Sequence, residues 1–367
     1  MSESRKQTTA WSSAFLLAGF ALVGCAAPAK NKQISTEAGS RATATSTKAA
    51  GSHAEAVAEI IALDGPTRSR ESEISGLTWY NDHLILLPQY PNRFDSHHDG
   101  ALFAISRDEL RRVVNSEVKQ PVAPRSIELV APGLWQQIPD AQGVEAIGFW
   151  GDRVFLTIEA GYGDHMTGYL VAGQISPDLS RIILDAQLLA KIPARAAVVN
   201  ASEEALIVTR SRVITIYEAN GVNINPSPVA HVFDHDLNPL GTIPFPHIEY
   251  RIIDATSLDR QNRFWVTNYF YTGDRDAYRP ASDPITAAHG EGETHASSDT
   301  VERLLLLEYT GSRIELVDQA PIQLRLGSQG RNWEGLARWQ GEGFMLITDM
   351  FPDTMFAFLP APGLEGH

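Results

Sequence analysis

Short apolar runs separated by polar turns follow one another along most of this chain, and they come in pairs. Asp, Asn, Gly or Ser stands between the two members of each pair, which is typical of β-hairpins. The five pairs span residues 75–79 and 84–87, 145–149 and 154–157, 195–198 and 205–208, 254–258 and 264–267, and 334–338 and 344–347. The pattern therefore predicts five hairpins of similar design.

Each hairpin is followed by a third apolar run, and most units have a fourth. The third runs are residues 101–105, 169–172, 213–217, 304–307 and 355–358, and the fourth runs include 126–130, 182–184 and 314–317. Four antiparallel strands per unit, repeated radially, form a β-propeller. We therefore predict an all-β fold: one β-propeller domain over residues 54–367 with five blades. A sixth blade within 218–250, a β-sandwich and a pair of small β domains remain alternatives.

The two ends of this repeat suggest how the ring closes. The last unit has no fourth run after Leu359, whereas an unassigned run at 56–61 precedes the first unit. We expect this N-terminal strand to complete the last blade. A helical pattern is convincing only at 107–114. The polar stretch 272–302 predicts an insertion between two strands of the fourth unit, either a lid or a flexible surface loop.

The first 25 residues have the order of a secretory signal. Arg5 and Lys6 precede an apolar stretch that ends in Leu22-Val23-Gly24-Cys25, and that stretch is shorter than the ~20 residues that span a bilayer. The segment resembles the lipobox of bacterial lipoproteins. This resemblance implies that Cys25 carries the lipid (palmitate among the acyl chains) and anchors the protein in the bacterial cell envelope, on the outer membrane. Residues 26–53 then form a flexible tether. The alternative for Cys25 is a buried structural cysteine.

Composition narrows the chemistry of the domain. Cys25 is the only cysteine, so the domain beyond it has no thiol, and oxygen or imidazole groups must hold any metal. The formal net charge of −14 argues against a nucleic-acid partner. We expect a monomer whose partners are the lipid membrane and either a small anionic ligand or an envelope protein.

Propeller geometry brings certain positions together. The first strand of a blade lines the channel and the second runs back beside it, so the start of the first and the end of the second share one mouth. These paired positions are Ser75 with Gln89, Glu145 with Glu159, Arg195 with Arg210, Asp254 with Asn268, and Glu334 with Asp349. Clustered carboxylates resist ionisation unless a cation lies among them, and oxygen ligands suit Ca²⁺. The predicted metal ligands are Glu145, Glu159, Asp254, Asn268, Glu334 and Asp349. Strand caps, bound water or salt bridges are the alternative.

Other residues complete the predicted site. Arg195, Arg210 and Gln89 are candidates for binding an anionic substrate, Glu145 and Glu334 for catalysis, and His97, His98 or His165 for proton transfer. The pair His97-His98 also fits an ordinary polar surface loop. Nucleophile-elbow, zinc-protease, P-loop and dinucleotide motifs are absent from the sequence.

The run Asn332-Trp333-Glu334-Gly335-Leu336, followed by Leu346-Ile347-Thr348-Asp349, resembles the phytase-like (esterase-like) β-propeller proteins. More loosely, the chain is similar to the gluconolactonase group and to calcium-activated nucleotidases. These resemblances imply a Ca²⁺-dependent hydrolase of a phosphate ester or lactone, with Glu334, Glu145 and Asp254 facing the channel. The alternative function is a non-catalytic lipoprotein whose propeller mouth binds a ligand or an envelope protein.

Overall fold

The computed structural model describes residues 54–95, 97–116, 120–163, 165–339 and 341–361. The predicted signal peptide, Cys25 and the tether lie outside these residues. Within them, no helix has the length and apolar character needed to cross a membrane.

Most of the described chain forms β-strands in four-stranded units. Strand β1 (Glu59–Ile61) comes first, and the first unit contains β2 (Ile74–Tyr80), β3 (His83–Pro88), β4 (Gly100–Ser106) and β5 (Arg125–Val130). The second contains β6 (Ala141–Trp150), β7 (Arg153–Tyr162), β8 (His165–Ile175) and β9 (Arg181–Pro193). The third contains β10 (Glu203–Val208), β11 (Val213–Tyr217), β12 (Val229–Phe233) and β13 (Pro239–Pro244).

The remaining strands form two further units. The fourth contains β14 (Arg251–Ala255), β15 (Arg263–Phe270), β16 (Val301–Tyr309) and β17 (Ile314–Leu316), and β18 (Ile322–Gln323) also pairs with β16. The fifth contains β19 (Trp333–Trp339), β20 (Gly343–Thr348) and β21 (Phe356–Pro360), together with β1. The α-helices are α1 (Arg107–Val114), α2 (Arg275–Tyr278) and α3 (Pro284–His289), and short 3₁₀ turns span Gly65–Arg68, Arg70–Ser72, Pro91–Arg93, Thr272–Asp274 and His295–Ser297.

The innermost strands of the units form a closed ring. Each contacts the next in the order β2, β6, β10, β14 and β19, and β19 contacts β2 again. The first two units are also joined at their outer edges, where β5 pairs in parallel with β9. This arrangement confirms the predicted all-β propeller. As predicted, the N-terminal strand closes the ring, because β1 pairs antiparallel with β21.

The apolar runs are continuous because each sheet is covered on both faces by its neighbours. In β3, Ile85 and Leu87 pack with residues of the second unit, whereas Leu84 and Leu86 pack with residues of the fifth. All four are fully buried. Burying each such side chain contributes roughly 1.5–3 kcal/mol to folding.

The predicted strand order of the third unit is wrong. The run 195–198 is a linker, the predicted second strand is the first (β10), and the predicted third strand is the second (β11). The reason lies in the preceding unit, where β9 continues to Pro193 and leaves only a linker before Glu203. The stretch 218–250, in which a sixth blade was an alternative, contains β12 and β13 of the third unit.

The polar stretch 272–302 contains α2 and α3 and packs on the neighbouring sheets. Tyr278 and Ile285 are buried in it. Helix α3 begins where the sequence favours a start: Pro284 stands in its first turn, and the Asp283 carboxylate accepts the backbone N–H groups of Ile285 and Thr286. We refer to residues 272–302 as the insertion.

Candidate functional site

A β-bulge near the start of each inner strand re-aims side chains at one end of the ring. The strand register shifts between Ile74 and Gly76, Val144 and Ile147, Glu203 and Ala205, Ile252 and Ala255, and Trp333 and Gly335. Bulges of this kind commonly occur next to functional sites. Glu145, Glu204 and Glu334 lie at these bulges, and Ser75 occupies the corresponding position in the first unit, where its hydroxyl donates to the Val144 carbonyl at 2.6 Å.

The ends of the second strands bring further carboxylates to the same place. We call this end of the ring the acidic mouth and define it by Glu73, Glu145, Glu159, Glu204, Glu218, Glu334 and Asp349. All seven residues are less than a tenth exposed. The predicted site residues Glu145, Glu159, Glu334 and Asp349 are therefore brought together.

Burial and mutual repulsion make these carboxylates hard to ionise. Burial raises the pKa of Glu145 to about 7; the Gln89 amide, 3.3 Å from both carboxylate oxygens, opposes this shift, and Glu218 adds to it. Burial also raises the pKa of Asp349 to about 6, against the hydrogen bonds from Asn332 and the Phe351 backbone.

The other acids of the mouth are shifted in the same direction. Burial, and then the charge of Glu145, raises the pKa of Glu159 well above its usual range. Burial and the neighbouring Asp349 do the same for Glu334. Burial also raises the pKa of Glu204, and the nearby Glu145 charge reinforces it. Such a cluster must hold protons, or a cation must balance it.

Two arginines partly balance the mouth. Arg251 at the start of β14 forms an ion pair with Glu218, and this pairing keeps its pKa above the usual range although burial opposes it. Nearer the rim, Arg93 lies 2.8 Å from Glu73 and against the Tyr90 ring.

One oxygen each of Glu159 and Glu218 is buried without a hydrogen-bond partner. These oxygens are donors of the type that a hard cation uses. However, no three described His, Cys, Asp or Glu side chains are arranged to share a metal ion.

The insertion contributes directly to the mouth. Burial raises the pKa of the Tyr278 hydroxyl well above its usual range, and this hydroxyl is close enough to Glu218 for its charge to add to the shift. Asp274 is close enough to Glu218 and Arg251 to interact with both charges. The insertion therefore covers the part of the mouth formed by the third and fourth units.

Two predicted metal ligands are instead used to hold the ring together. Asp254 accepts backbone N–H groups from Leu336 at 2.7 Å and Leu77 at 3.3 Å, which belong to inner strands of the fifth and first units. The Asn268 amide donates to backbone carbonyls and accepts from Arg303. Both predictions followed from starting the fourth unit at 254. Because β14 starts at Arg251, an arginine rather than a carboxylate faces the acids.

The predicted anion-binding arginines are not brought together. Arg210 is exposed in the turn between β10 and β11, at the opposite end of the ring from the mouth. Arg195 lies in the linker before β10, close enough to the buried Glu203 to interact with its charge. Their pairing followed from the misplaced strand order of the third unit. Gln89, by contrast, contacts Glu145 as described above.

Of the predicted proton-transfer histidines, His97 and His98 lie on a loop and His165 is the first residue of a strand. His98 is held between Asp95 and Glu128, each at 2.9 Å, and its hydrogen bond with Asp95 raises its pKa. His97 donates its backbone N–H to the Asp95 side chain and is exposed. His165 is exposed at the start of β8.

Sequence reasoning missed Glu204, Glu218, Arg251 and Tyr278. A signal for the first was present: Glu204-Ala205 precedes an aliphatic run, as Glu145-Ala146 and Glu334-Gly335 do. Aligning these three motifs would have placed Glu218 at the end of the second strand, where Glu159 and Asp349 stand in their own units. Tyr278 had no signal, because only the folded insertion brings it to Glu218.

No protein-family profile matches this chain, and no curated protein matches it in sequence. Solved structures with a similar fold include an α-L-arabinanase variant from Cellvibrio cellulosa (11% identity, 78% of this chain and 90% of that one, TM-score 0.42). An exo-β-1,3-galactanase from Phanerochaete chrysosporium (7%, 83% and 64%, TM-score 0.46) and a hypothetical protein from Leishmania major (9%, 86% and 92%, TM-score 0.42) are also similar. These likenesses do not bear on the activity of this chain.

Proposed function

We propose that the protein is a hydrolase and that the acidic mouth is its active site. The observation that carries this proposal is the convergence of buried carboxylates from the first, second, third and fifth units on one end of the ring. Folding alone gains nothing from bringing Glu145, Glu159, Glu204 and Glu334 together, since each is desolvated and repelled by neighbouring carboxylates. Strongly perturbed acids in one location are typical of sites that transfer protons.

The pKa values suggest how the roles are divided. Burial raises the pKa of Glu334 well above its usual range and so favours its protonated form, which can donate a proton to the leaving oxygen. Glu145, with a pKa of about 7, is partly ionised there and can accept a proton from the attacking water. Acid and base separated in this way can operate at one pH.

A divalent cation, with Ca²⁺ the first candidate, would suit the remaining carboxylates. No three described carboxylates are arranged to share such an ion, so we expect Glu159 and Glu218, each with an unpartnered oxygen, to hold it together with water. When bound, such an ion would polarise the substrate oxygen and balance negative charge. It would also let the mouth accept an anionic phosphate ester, or polarise the carbonyl of a lactone, whereas Arg251 is already paired with Glu218.

We further propose that Cys25 is lipidated and holds the domain at the bacterial envelope. The support is the basic, apolar and small-residue order of residues 1–25. Incorporation of labelled palmitate into the full-length protein, lost in Cys25→Ser, is the expected result; equal labelling of the variant would contradict it.

A non-catalytic binding function is the second candidate, and one observation favours it. Exposed aromatic residues lie at or just beyond the mouth-side ends of second strands in three units: Tyr162, Tyr271 and Phe351. Exposed aromatic side chains beside polar groups also suit a partner or ligand that is held and not converted.

Hydrolysis assays on the full-length protein separate the two candidates. A phosphate monoester, a phosphate diester and an aldonolactone are incubated with the wild type, Glu145→Gln and Glu334→Gln, with Ca²⁺ or EGTA. We expect hydrolysis of one substrate class that each substitution lowers by at least about 100-fold. Loss of hydrolytic activity in EGTA would support a role for the cation. Unchanged activity in EGTA would support the acid–base pair alone and contradict a role for the cation. No hydrolysis in any condition would leave the binding function.

A further inference from the structure

A cavity lies between the insertion and the fourth sheet. Its volume is about 420 Å³, within the range of small-molecule sites. We call it the insertion pocket and define it by Tyr250, Phe270, Asp283, Ala287, Thr300 and Arg303, which line it. None of these residues belongs to the proposed active site.

Arg303 gives this pocket a specific chemical requirement. The residue is only 3% exposed. Its Nε donates to Asn268 Oδ1 at 2.8 Å, and one terminal nitrogen donates to Asp283 at 2.6 Å and to Thr286 at 3.2 Å. The other terminal nitrogen is buried with no hydrogen-bond partner among the described residues. A buried N–H without an acceptor is unfavourable, so this position favours a ligand that carries an oxygen acceptor.

The charges around the pocket favour a neutral ligand over an anion. Arg303 is already paired with Asp283, and Arg275 is paired with Asp299 at 3.1 Å. Glu291 adds a further carboxylate to the lining. An incoming anion would therefore meet three acids and two arginines that already have partners. Carboxylates and hydroxyls can instead accept hydrogen bonds from ligand hydroxyl groups.

An aromatic pair lies beside these polar groups. Tyr250 and Phe270 line the pocket with their ring centroids 4.9 Å apart, and Tyr250 is the partly exposed member of the pair. The part of the lining around His295 is held in place by Glu55, which accepts hydrogen bonds from the His295 ring at 2.9 Å and from the Thr294 backbone at 3.0 Å. The pocket is therefore preformed. It combines an N–H that needs an acceptor, oxygens that need donors, and an aromatic surface.

We propose that the insertion pocket binds a neutral saccharide. A sugar ring has hydroxyl groups that both donate and accept, no net charge and an apolar C–H face that can lie on an aromatic ring. The Arg303 terminal nitrogen would donate to a ring or hydroxyl oxygen, and Asp283 or Glu291 would accept from sugar hydroxyls. This site is independent of the chemistry proposed for the acidic mouth.

Saturation-transfer NMR on the full-length protein tests this proposal with D-glucose, D-galactose and N-acetyl-D-glucosamine, and with acetate as the anionic probe. The informative variant is Ala287→Trp, which fills the pocket from the exposed side of α3. Its matched control is Ala288→Trp, because Ala288 is also exposed on α3 but does not line the pocket. Glu218→Gln is the control at the mouth.

We expect transfer to at least one saccharide, with affinity lowered at least about tenfold in Ala287→Trp and kept in Ala288→Trp and Glu218→Gln. Arg303→Lys, which keeps the charge but removes the free guanidinium nitrogen, should weaken binding as well. No saccharide binding, unaltered binding in Ala287→Trp, or preferential binding of acetate would each overturn the proposal.

Discussion

The two ends of the ring are built from the same strands, but their polar and charged groups are paired at one end and repel each other at the other. At the hairpin end, opposite the mouth, each unit is joined to the next by a satisfied polar contact. These contacts are Tyr80 to Asp152 at 2.6 Å, Arg153 to Asp236 at 3.1 Å, Arg212 to Tyr309 at 2.7 Å, Arg338 to Asp259 at 3.3 Å, and the Trp79 indole to the Arg338 carbonyl at 2.8 Å. Donors and acceptors are matched there.

At the acidic mouth, like charges face each other and two carboxylate oxygens lack partners. The hairpin end therefore stabilises the ring, whereas the mouth reduces its stability. A protein keeps an unfavourable cluster of this kind where the cluster has a function. This contrast is the physical reason for placing the active site at the mouth and not in the middle of the channel, where Asp254 is fully engaged with backbone N–H groups.

The largest expected effect comes from removing the buried positive charge at the mouth. Arg251→Met should lower the free energy of unfolding by about 3 kcal/mol, because Glu218 is left as a buried charge without its partner. Urea titration measures this change. The matched control at the hairpin end is Arg153→Met, whose partner Asp236 is exposed, and it should cost no more than about 1 kcal/mol. Equal changes in the free energy of unfolding for the two substitutions would contradict the proposed difference between the two ends of the ring.

The next effect is a dependence of stability on pH. The pKa of Glu145 is raised from 4.5 to about 7 in the folded protein, so folding favours the protonated form. That contribution is complete below about pH 4.5 and is lost as pH rises through about 7. In EGTA, the melting temperature should therefore fall by several degrees across this window. With Ca²⁺ present the fall should be smaller, since a cation stabilises the ionised form. A melting temperature that rises across the window in EGTA would contradict the raised pKa values.

A smaller effect is expected when one of the mouth carboxylates is neutralised. Glu204→Gln keeps the shape of the side chain and removes the charge that burial and Glu145 oppose. We expect it to increase the free energy of unfolding by about 1 kcal/mol at pH 8 in EGTA and to change it less at pH 5, because the raised pKa leaves less of the acid ionised at the lower pH. Destabilisation at pH 8 would show that the ionised carboxylate has a stabilising partner.

The smallest effect belongs to a single contact of the hairpin end. Tyr80→Phe removes the hydroxyl that donates to Asp152 and should lower the free energy of unfolding by about 1 kcal/mol or less. Its hydrolytic activity should equal that of the wild type, because the substitution lies at the other end of the ring. A loss of activity without a loss of stability would mean that the two ends are coupled.

Much of the ring could be predicted from the sequence, because each hairpin has a local sequence signal: an apolar run, a turn and a second apolar run. The bulge acids Glu145 and Glu334, together with their partners Glu159 and Asp349, could be predicted in the same way. The third and fourth units could not be placed correctly, since their starts depend on where β9 ends and on the bulge before Ala255. These features are set by pairing with distant strands. A long-range contact also brings Tyr278 to Glu218.

The most direct test of the central claim compares stability and activity in one variant, Glu145→Gln. The account predicts that the variant is at least as stable as the wild type at pH 8, because a repelled buried charge is removed, and that hydrolysis of the substrate class identified for the wild type falls by at least about 100-fold. A variant that loses stability but keeps its activity would contradict the assignment of the acidic mouth as the active site.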